Sequence, residues 1–309
     1  MDSPGFPLVV VLGPTGSGKS DLALALAESV SGEIVNCDSV QVYRGLEIGA
    51  AKVPVSARRG IPHHLIDIIG PAEELTAGGY ARLARQVLAQ IAARGRIPIV
   101  VGGTGFYLRA LLEGLSPAAG RDERLRARLT RIAAHRPASL HRMLRARDPS
   151  AASRIYPNDR QKLIRALELT LLEGQPASLT QSRPRDALHG FAVTKLGLAP
   201  DRAALYERLN RRTESMFRQG ILREAAELPR GAKPLHALGY KQALSVLQGN
   251  LTLEDAIREC QTKTRQYAKR QMTWFRAEPG VVWLPGFGSD PEIQRRAIST
   301  LTENNNHDA

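Results

Sequence analysis

The chain has 309 residues, 43% of them hydrophobic, with two cysteines and a formal net charge of +13. That length can bury a full core and hold more than one folding unit. It contains no apolar run of the roughly 18 residues a membrane span needs, no basic-then-apolar signal pattern over Met1 to Pro7, and no disulfide framework or Cys/His metal spacing around Cys37 and Cys260. A reducing, cytoplasmic setting is therefore expected. The positive excess favours a polyanionic partner, or else reflects only an arginine-rich composition.

Leu8 to Leu12 is a short apolar run and predicts a buried strand. A Gly-rich loop follows over Gly13 to Ser20, and Leu22, Leu26 and Val30 then repeat at helical spacing. Glu33 to Asn36 predicts a second strand that ends just before Asp38. His63 and His64 lie in the apolar stretch Ile61 to Ile68, where packing or a structural hydrogen bond is expected and no metal site, since no third ligand is spaced near them. Leu83, Val87, Leu88 and Ile91 predict a helix over 81–94. Ile97 to Val101 reads as another buried strand, followed by Gly102-Gly103-Thr104-Gly105 and a helix-like Phe106 to Leu112. This alternation predicts an α/β fold with a parallel sheet and covering helices.

From Pro117 the character changes. Arg121 to Arg165 holds thirteen basic residues against four acidic ones. Leu125, Leu129 and Ile132, then Leu163, Leu167 and Leu171, repeat at helical spacing, and Asn158 is placed to cap the second stretch. The expected organisation is a core over 1–116, a basic helical insertion over 117–190, and completion of the core over 191–309. In that last part Phe191 to Leu198 predicts a strand. Helices are expected over 201–219, 235–248 and 252–276, the last capped by Thr252 with Asp255 three residues on. Val281 to Leu284 predicts an edge strand, and 304–309 is polar enough to fray.

Gly13-Pro14-Thr15-Gly16-Ser17-Gly18-Lys19-Ser20 matches G-x-x-x-x-G-K-[ST] in full and lies between a strand and a helix. Its backbone N–H groups and the helix N-terminus suit phosphate, as in ATP-binding proteins, with Lys19 on the terminal phosphate and Ser20 on Mg²⁺. Whose phosphates are bound does not follow from the motif. Asp38 stands at a strand's carboxyl end, where open α/β sheets form their ligand crevice. It could hold a cation, take a proton, or simply cap a helix. Gln41 could share that cleft and meet a base edge, and Thr104 could touch ligand. Arg208 and Arg212 lie one turn apart and could grip a diphosphate or remain solvated. The helix from Thr252 crowds Lys263, Arg265, Lys269, Arg270 and Arg276 near Trp274 and Phe275, as a nucleic-acid edge or an ordinary basic helix would.

These motifs, together with Asp38-Ser39-Val40-Gln41-Val42-Tyr43-Arg44-Gly45, Pro62-His63-His64-Leu65-Ile66-Asp67, Gly102-Gly103-Thr104, Asn158-Asp159, Gly239-Tyr240-Lys241-Gln242 and Lys269-Arg270-Gln271-Met272-Thr273-Trp274, resemble the tRNA dimethylallyltransferase family in order along nearly the whole chain. The resemblance implies a P-loop nucleoside triphosphate hydrolase-like fold. It also implies transfer of a dimethylallyl group from its diphosphate to N6 of adenine 37, beside the anticodon. Carried over, Asp38 is the general base, Thr104 meets the reacting region, and the P-loop with Lys19 and Ser20 holds diphosphate and Mg²⁺. Of the two arginines Arg212 is favoured for the diphosphate. Ser39, Val40, Gln41, Gln161, Lys162, Leu163, Ile164 and Arg165 are implied to contact the tRNA anticodon stem-loop; Asp38 and Thr104 are expected to meet the RNA at the reacting adenine, and Arg126 as part of the basic insertion. A monomer is expected. The sequence departs from the pattern at Ala50, where Thr is frequent, and at Gly105, where larger residues are common. A P-loop kinase using ATP and an RNA-binding nucleotide switch are the competing readings.

Overall fold

The computed structural model of the chain describes residues 5–136 and 138–307. Asp308 and Ala309, at the polar end where fraying is expected, lie outside them, as do the first four residues of the Met1 to Pro7 segment. The chain divides into two compact units, residues 1–112 with 188–309 and residues 113–187.

The first unit opens with β1 (Phe6–Leu12), α1 (Lys19–Ser29), β2 (Glu33–Asn36), β3 (His63–His64), α2 (Ala77–Ala93), β4 (Pro98–Val101) and α3 (Gly105–Leu112). The second unit contributes α4 (Glu123–His135), α5 (Ser139–Arg147), α6 (Pro149–Arg154), α7 (Arg160–Glu173) and α8 (Ala177–Gln181). The first then resumes with β5 (Phe191–Leu198), α9 (Arg202–Gln219), α10 (Ile221–Glu227), α11 (Tyr240–Leu247), α12 (Leu253–Arg276), β6 (Val281–Leu284) and α13 (Pro291–His307).

The six strands form one sheet in the order β3-β2-β4-β1-β5-β6. Every pairing is parallel, with Val10 beside both Val100 and Lys195. The two central strands, β4 and β1, are continuous apolar runs, as expected where helices cover both faces of a sheet. One cluster packs Leu22 and Leu26 of α1 and Ala297 and Leu301 of α13 against Val9, Val11 and Ile99. A second joins Val42 and Leu46 to Ile221, Tyr240 and Cys260. From β1 the chain crosses to β2 and β4 on one side and later to β5 on the other. The crevice at the carboxyl ends of β1, β2 and β4 is therefore the place for a ligand.

Several boundaries differ from the sequence reading. The helix expected over 235–248 begins only at Tyr240, because Lys233–His236 forms a 3-10 turn and Gly239 has φ 88°. α10 and α13 have no counterpart in that reading, the first for its shortness and the second for its polar composition. Asp159, and not Asn158, caps α7 by accepting from the Lys162 amide at 3.1 Å. Thr252 caps α12 as expected, accepting from the Asp255 amide at 3.1 Å. The insertion begins and ends slightly early, and Leu188 N donates to Leu112 O at 2.8 Å where the first unit resumes.

Candidate active site

The P-loop joins β1 to α1. Gly18 stands at the N-terminus of α1 with φ 85°, a left-handed backbone that disfavours side chains. A Cβ there would also lie 2.9 Å from the amide of Gly288, which donates to Ser17 O at 2.9 Å. Ser17 is fully buried, and its Oγ has no partner among the described residues. Lys19 Nζ donates to Gly13 O at 3.0 Å and Pro14 O at 2.9 Å, which leaves its third N–H for a phosphate oxygen. Burial pushes the Lys19 ammonium down to about 8; the negative charge of Asp38 opposes this shift and the positive charge of Arg212 adds to it.

The other strand ends converge on the loop. Asp38 Oδ1 accepts the amides of Val40 at 2.8 Å and Gln41 at 3.3 Å. Asn36 steadies the turn, accepting from Asp38 N at 3.1 Å and donating to Leu65 O at 2.9 Å. Thr104 Oγ1 accepts the Ser39 amide at 3.1 Å and donates to Ser39 Oγ at 3.3 Å, joining the ends of β2 and β4. Arg212 on α9 is partly buried and donates to Thr15 Oγ1 at 3.4 Å. Arg208 points instead to the rim, 3.7 Å from Asp21 and stacked over Phe287. Two clefts, of about 220 and 350 Å³, share Thr15, Asp38, Ala50 and Arg212 as walls. Lys19, Ser20, Gln41 and Arg208 line the first, and Ser39 and Val40 the second. The P-loop, Asp38 and Arg212 thus face one space.

Gln271 on α12 is a site residue that the sequence reading misses. Its Oε1 accepts the Thr15 amide at 2.8 Å and its Nε2 donates to Gly103 O at 2.8 Å, so it bridges the two glycine-rich loops. Its signals in the sequence are its place in the motif Lys269-Arg270-Gln271-Met272-Thr273-Trp274 and helical spacing with Tyr267 and Trp274, neither of which assigns it a role. Tyr267 lines the second cleft, and burial together with the charge of Asp38 pushes its phenol up to about 12. Trp274 explains Gly105: a Cβ at that position would lie 2.4 Å from the indole. The Arg109 guanidinium also lies over this indole, 4.8 Å from the Trp274 ring centroid.

The packing of the insertion bears on the expected RNA-contact set. Leu163 is 0% and Ile164 8% exposed, both in the insertion's own core, so their side chains cannot reach a partner. Arg126 and Arg165 each bond the fully buried Glu168 through one guanidinium nitrogen, at 3.0 and 2.7 Å. Gln161 and Lys162 remain exposed, and so do Arg128, Arg131 and Arg136.

Comparison with known proteins decides the family. Residues 41–278 match the IPP transferase family and residues 7–61 the Isopentenyl transferase family. A tRNA dimethylallyltransferase of Solibacter usitatus is 55% identical over 303 residues, spanning 96% of this chain and 99% of the relative. The chain belongs to the tRNA dimethylallyltransferase family. A second tRNA dimethylallyltransferase, from Koribacter versatilis, is 52% identical over 95% of this chain and 97% of its own. Among solved structures, the full-length tRNA isopentenylpyrophosphate transferase of Bacillus halodurans superposes with a TM-score of 0.73 at 35% identity, covering 98% and 97% of the two chains. A eukaryotic dimethylallyltransferase acting on tRNA gives a TM-score of 0.82 at 29% identity, covering 97% of this chain and 80% of its own. Both superpositions extend over nearly the full length of this chain. No helix among the described residues is long and apolar enough to cross a membrane.

Proposed function

We propose that this enzyme transfers a dimethylallyl group from dimethylallyl diphosphate to N6 of adenine 37 of tRNA. The observation that carries the reading is the meeting of a phosphate loop, Arg212 and an Asp38 carboxylate in one crevice. An exocyclic adenine amine is a weak nucleophile because its lone pair is delocalised into the ring. It needs a base at the nitrogen and an electrophile with a good leaving group. Asp38 takes the N6 proton while the N6–C1 bond forms. The C1–O bond breaks, and its electron pair leaves with the diphosphate. Lys19, Arg212 and the P-loop amides spread that charge where it grows. The adenine must leave the RNA stack to reach the crevice.

Ser20 lines the cleft together with Asp38, and no cluster of three or more acidic, His or Cys ligands exists among the described residues. Such a sparse set fits Mg²⁺, which is commonly held by one or two protein oxygens plus substrate phosphates. Ser20 would hold it, and when bound it supplies further neutralisation of the diphosphate.

Incubation with tRNA, Mg²⁺ and either ATP or dimethylallyl diphosphate tests the reading. A mass gain on adenine from the allylic donor supports it. Phosphoryl transfer from ATP, or binding without product, sinks it.

The depressed Lys19 pKa carries its own expectation. The cation is present below about 8 and lost above it. The kcat/KM for the donor reports the free enzyme, so it should fall by about tenfold per unit above that point. A profile flat between about pH 7 and 9 would show that Lys19 keeps its proton over that range and that its pKa is not depressed.

The exposed basic residues of the insertion suit an RNA backbone. Replacing Arg128, Arg131 and Lys162 together with Ala should raise the KM for tRNA and reduce its salt slope by roughly 0.7 to 0.9 for each phosphate no longer neutralised. The kcat at saturating tRNA should hold. Arg126→Ala should behave differently. It leaves the buried Glu168 with one fewer partner and should lower the melting temperature. An unchanged salt slope in the triple variant would remove this face from the RNA interface.

A further inference from the structure

Glu224 on α10 is 9% exposed and far from the P-loop in sequence. Its carboxylate accepts three consecutive backbone amides, Glu47 at 2.9 Å, Ile48 at 2.8 Å and Gly49 at 3.1 Å. Tyr240, at the start of α11, donates its hydroxyl to the same group. Burial and the adjacent carboxylate hold that phenol well above the ordinary tyrosine range, so it remains a donor. A carboxylate taking four donors fixes them in turn. The far end of the loop is tied by Lys52, whose buried ammonium bonds Tyr43 O at 2.8 Å, Glu47 Oε1 at 2.9 Å and Asp67.

The loop held this way presents its next two carbonyls to Gln41. Gln41 Nε2 donates to Ala50 O at 3.2 Å and Ala51 O at 3.5 Å. Two carbonyl acceptors admit only the nitrogen of the amide, so its orientation follows from the loop. The opposite atom, Oε1, has no partner among the described residues, and Gln41 lines the cleft that holds Asp38. The turn that places Asp38 also places Gln41, since Asp38 Oδ1 accepts the Gln41 amide.

An amine about to be alkylated carries two hydrogens. One must go to the base. The other needs an acceptor, because an unpaired donor in a water-poor cleft is costly. We propose that Gln41 Oε1 accepts this second hydrogen of the target amine, and that Glu224 is a positioning residue which sets that acceptor through the loop 47–51. This deepens, and rests on, the reading that an adenine amine is the nucleophile at Asp38. It also makes the pair selective: two acceptors face the 6-position, so a 6-amino purine is held and a 6-oxo purine, which offers an acceptor there, is repelled.

The test is binding of RNA stem-loops carrying either adenine or unsubstituted purine at the target position, in the presence of inorganic diphosphate and Mg²⁺. A double-substitution cycle with Gln41→Ala isolates the amine contact, since Asp38 is present in both proteins. The adenine-to-purine change should weaken binding about fivefold more in wild type than in Gln41→Ala, the scale of one net hydrogen bond. Glu224→Gln offers the three amides a single oxygen and should lose most of that difference. Diphosphate affinity should be unchanged throughout. Equal adenine-to-purine losses in wild type and Gln41→Ala overturn the amine contact. A full difference in Glu224→Gln, or in Glu224→Asp should Glu224→Gln fail to fold, overturns the positioning role, since the shorter aspartate carboxylate cannot span the three amides of residues 47–49. A wild-type enzyme that binds both RNAs but forms no prenylated adenine from the allylic donor refutes the function itself, and that result is read from wild type alone.

Discussion

Asp38→Asn is expected to lower turnover by about 10²–10⁴-fold, the usual contribution of general base catalysis. The affinities for tRNA and diphosphate should stay close to those of the parent. Asn is the informative replacement because its amide oxygen can still accept the Val40 and Gln41 amides that Asp38 Oδ1 holds at 2.8 and 3.3 Å. The turn should therefore keep its shape while the proton acceptor is removed. Single-turnover rates with saturating tRNA and donor measure the effect. A fall of less than about tenfold would show that Asp38 serves the fold as a cap and that another group takes the proton.

Lys19→Ala should damage both the KM for the donor and kcat. The ammonium bonds two P-loop carbonyls and faces the cleft with one N–H left over. Its charge acts on the bound diphosphate and more strongly on the leaving diphosphate, where negative charge grows. Loss of a preorganised electrostatic contact of this kind typically costs about 10²–10³-fold in kcat. Affinity for tRNA should barely move. If the donor response is unaltered while tRNA still reacts, the P-loop binds something other than the donor.

Much of this site is legible in sequence because its parts are local. The P-loop lies within eight consecutive residues, and Asp38 stands two residues past the end of the strand Glu33–Asn36. What escapes are side chains whose meaning depends on a distant partner. Gln271 reads as one polar residue in a basic helix until Thr15 and Gly103 close on it. Glu224 reads as an ordinary helix carboxylate until three amides from residues 47–49 arrive. The same blindness runs in the other direction. Arg126 and Arg165 look like free cations because helical periodicity does not reveal that Glu168 sits buried between them. In Gln161 to Arg165 the resemblance marks a continuous run, but a helix turns two of its members, Leu163 and Ile164, inward.

The bond between Gly288 and the P-loop has a consequence for the order in which the enzyme comes into being. The P-loop emerges from the ribosome well before its braces, since the amide that bonds Ser17 O belongs to the loop after β6, and the amide group that bridges to Gly103 belongs to α12. Contacts between partners so far apart in sequence form late and slowly, because loop closure must precede them. A nascent chain can show the complete Gly-rich motif and still lack the walls that make it a diphosphate site. Catalytic competence should therefore appear abruptly, once synthesis has passed Gly288, and not grow in step with the first unit's strands.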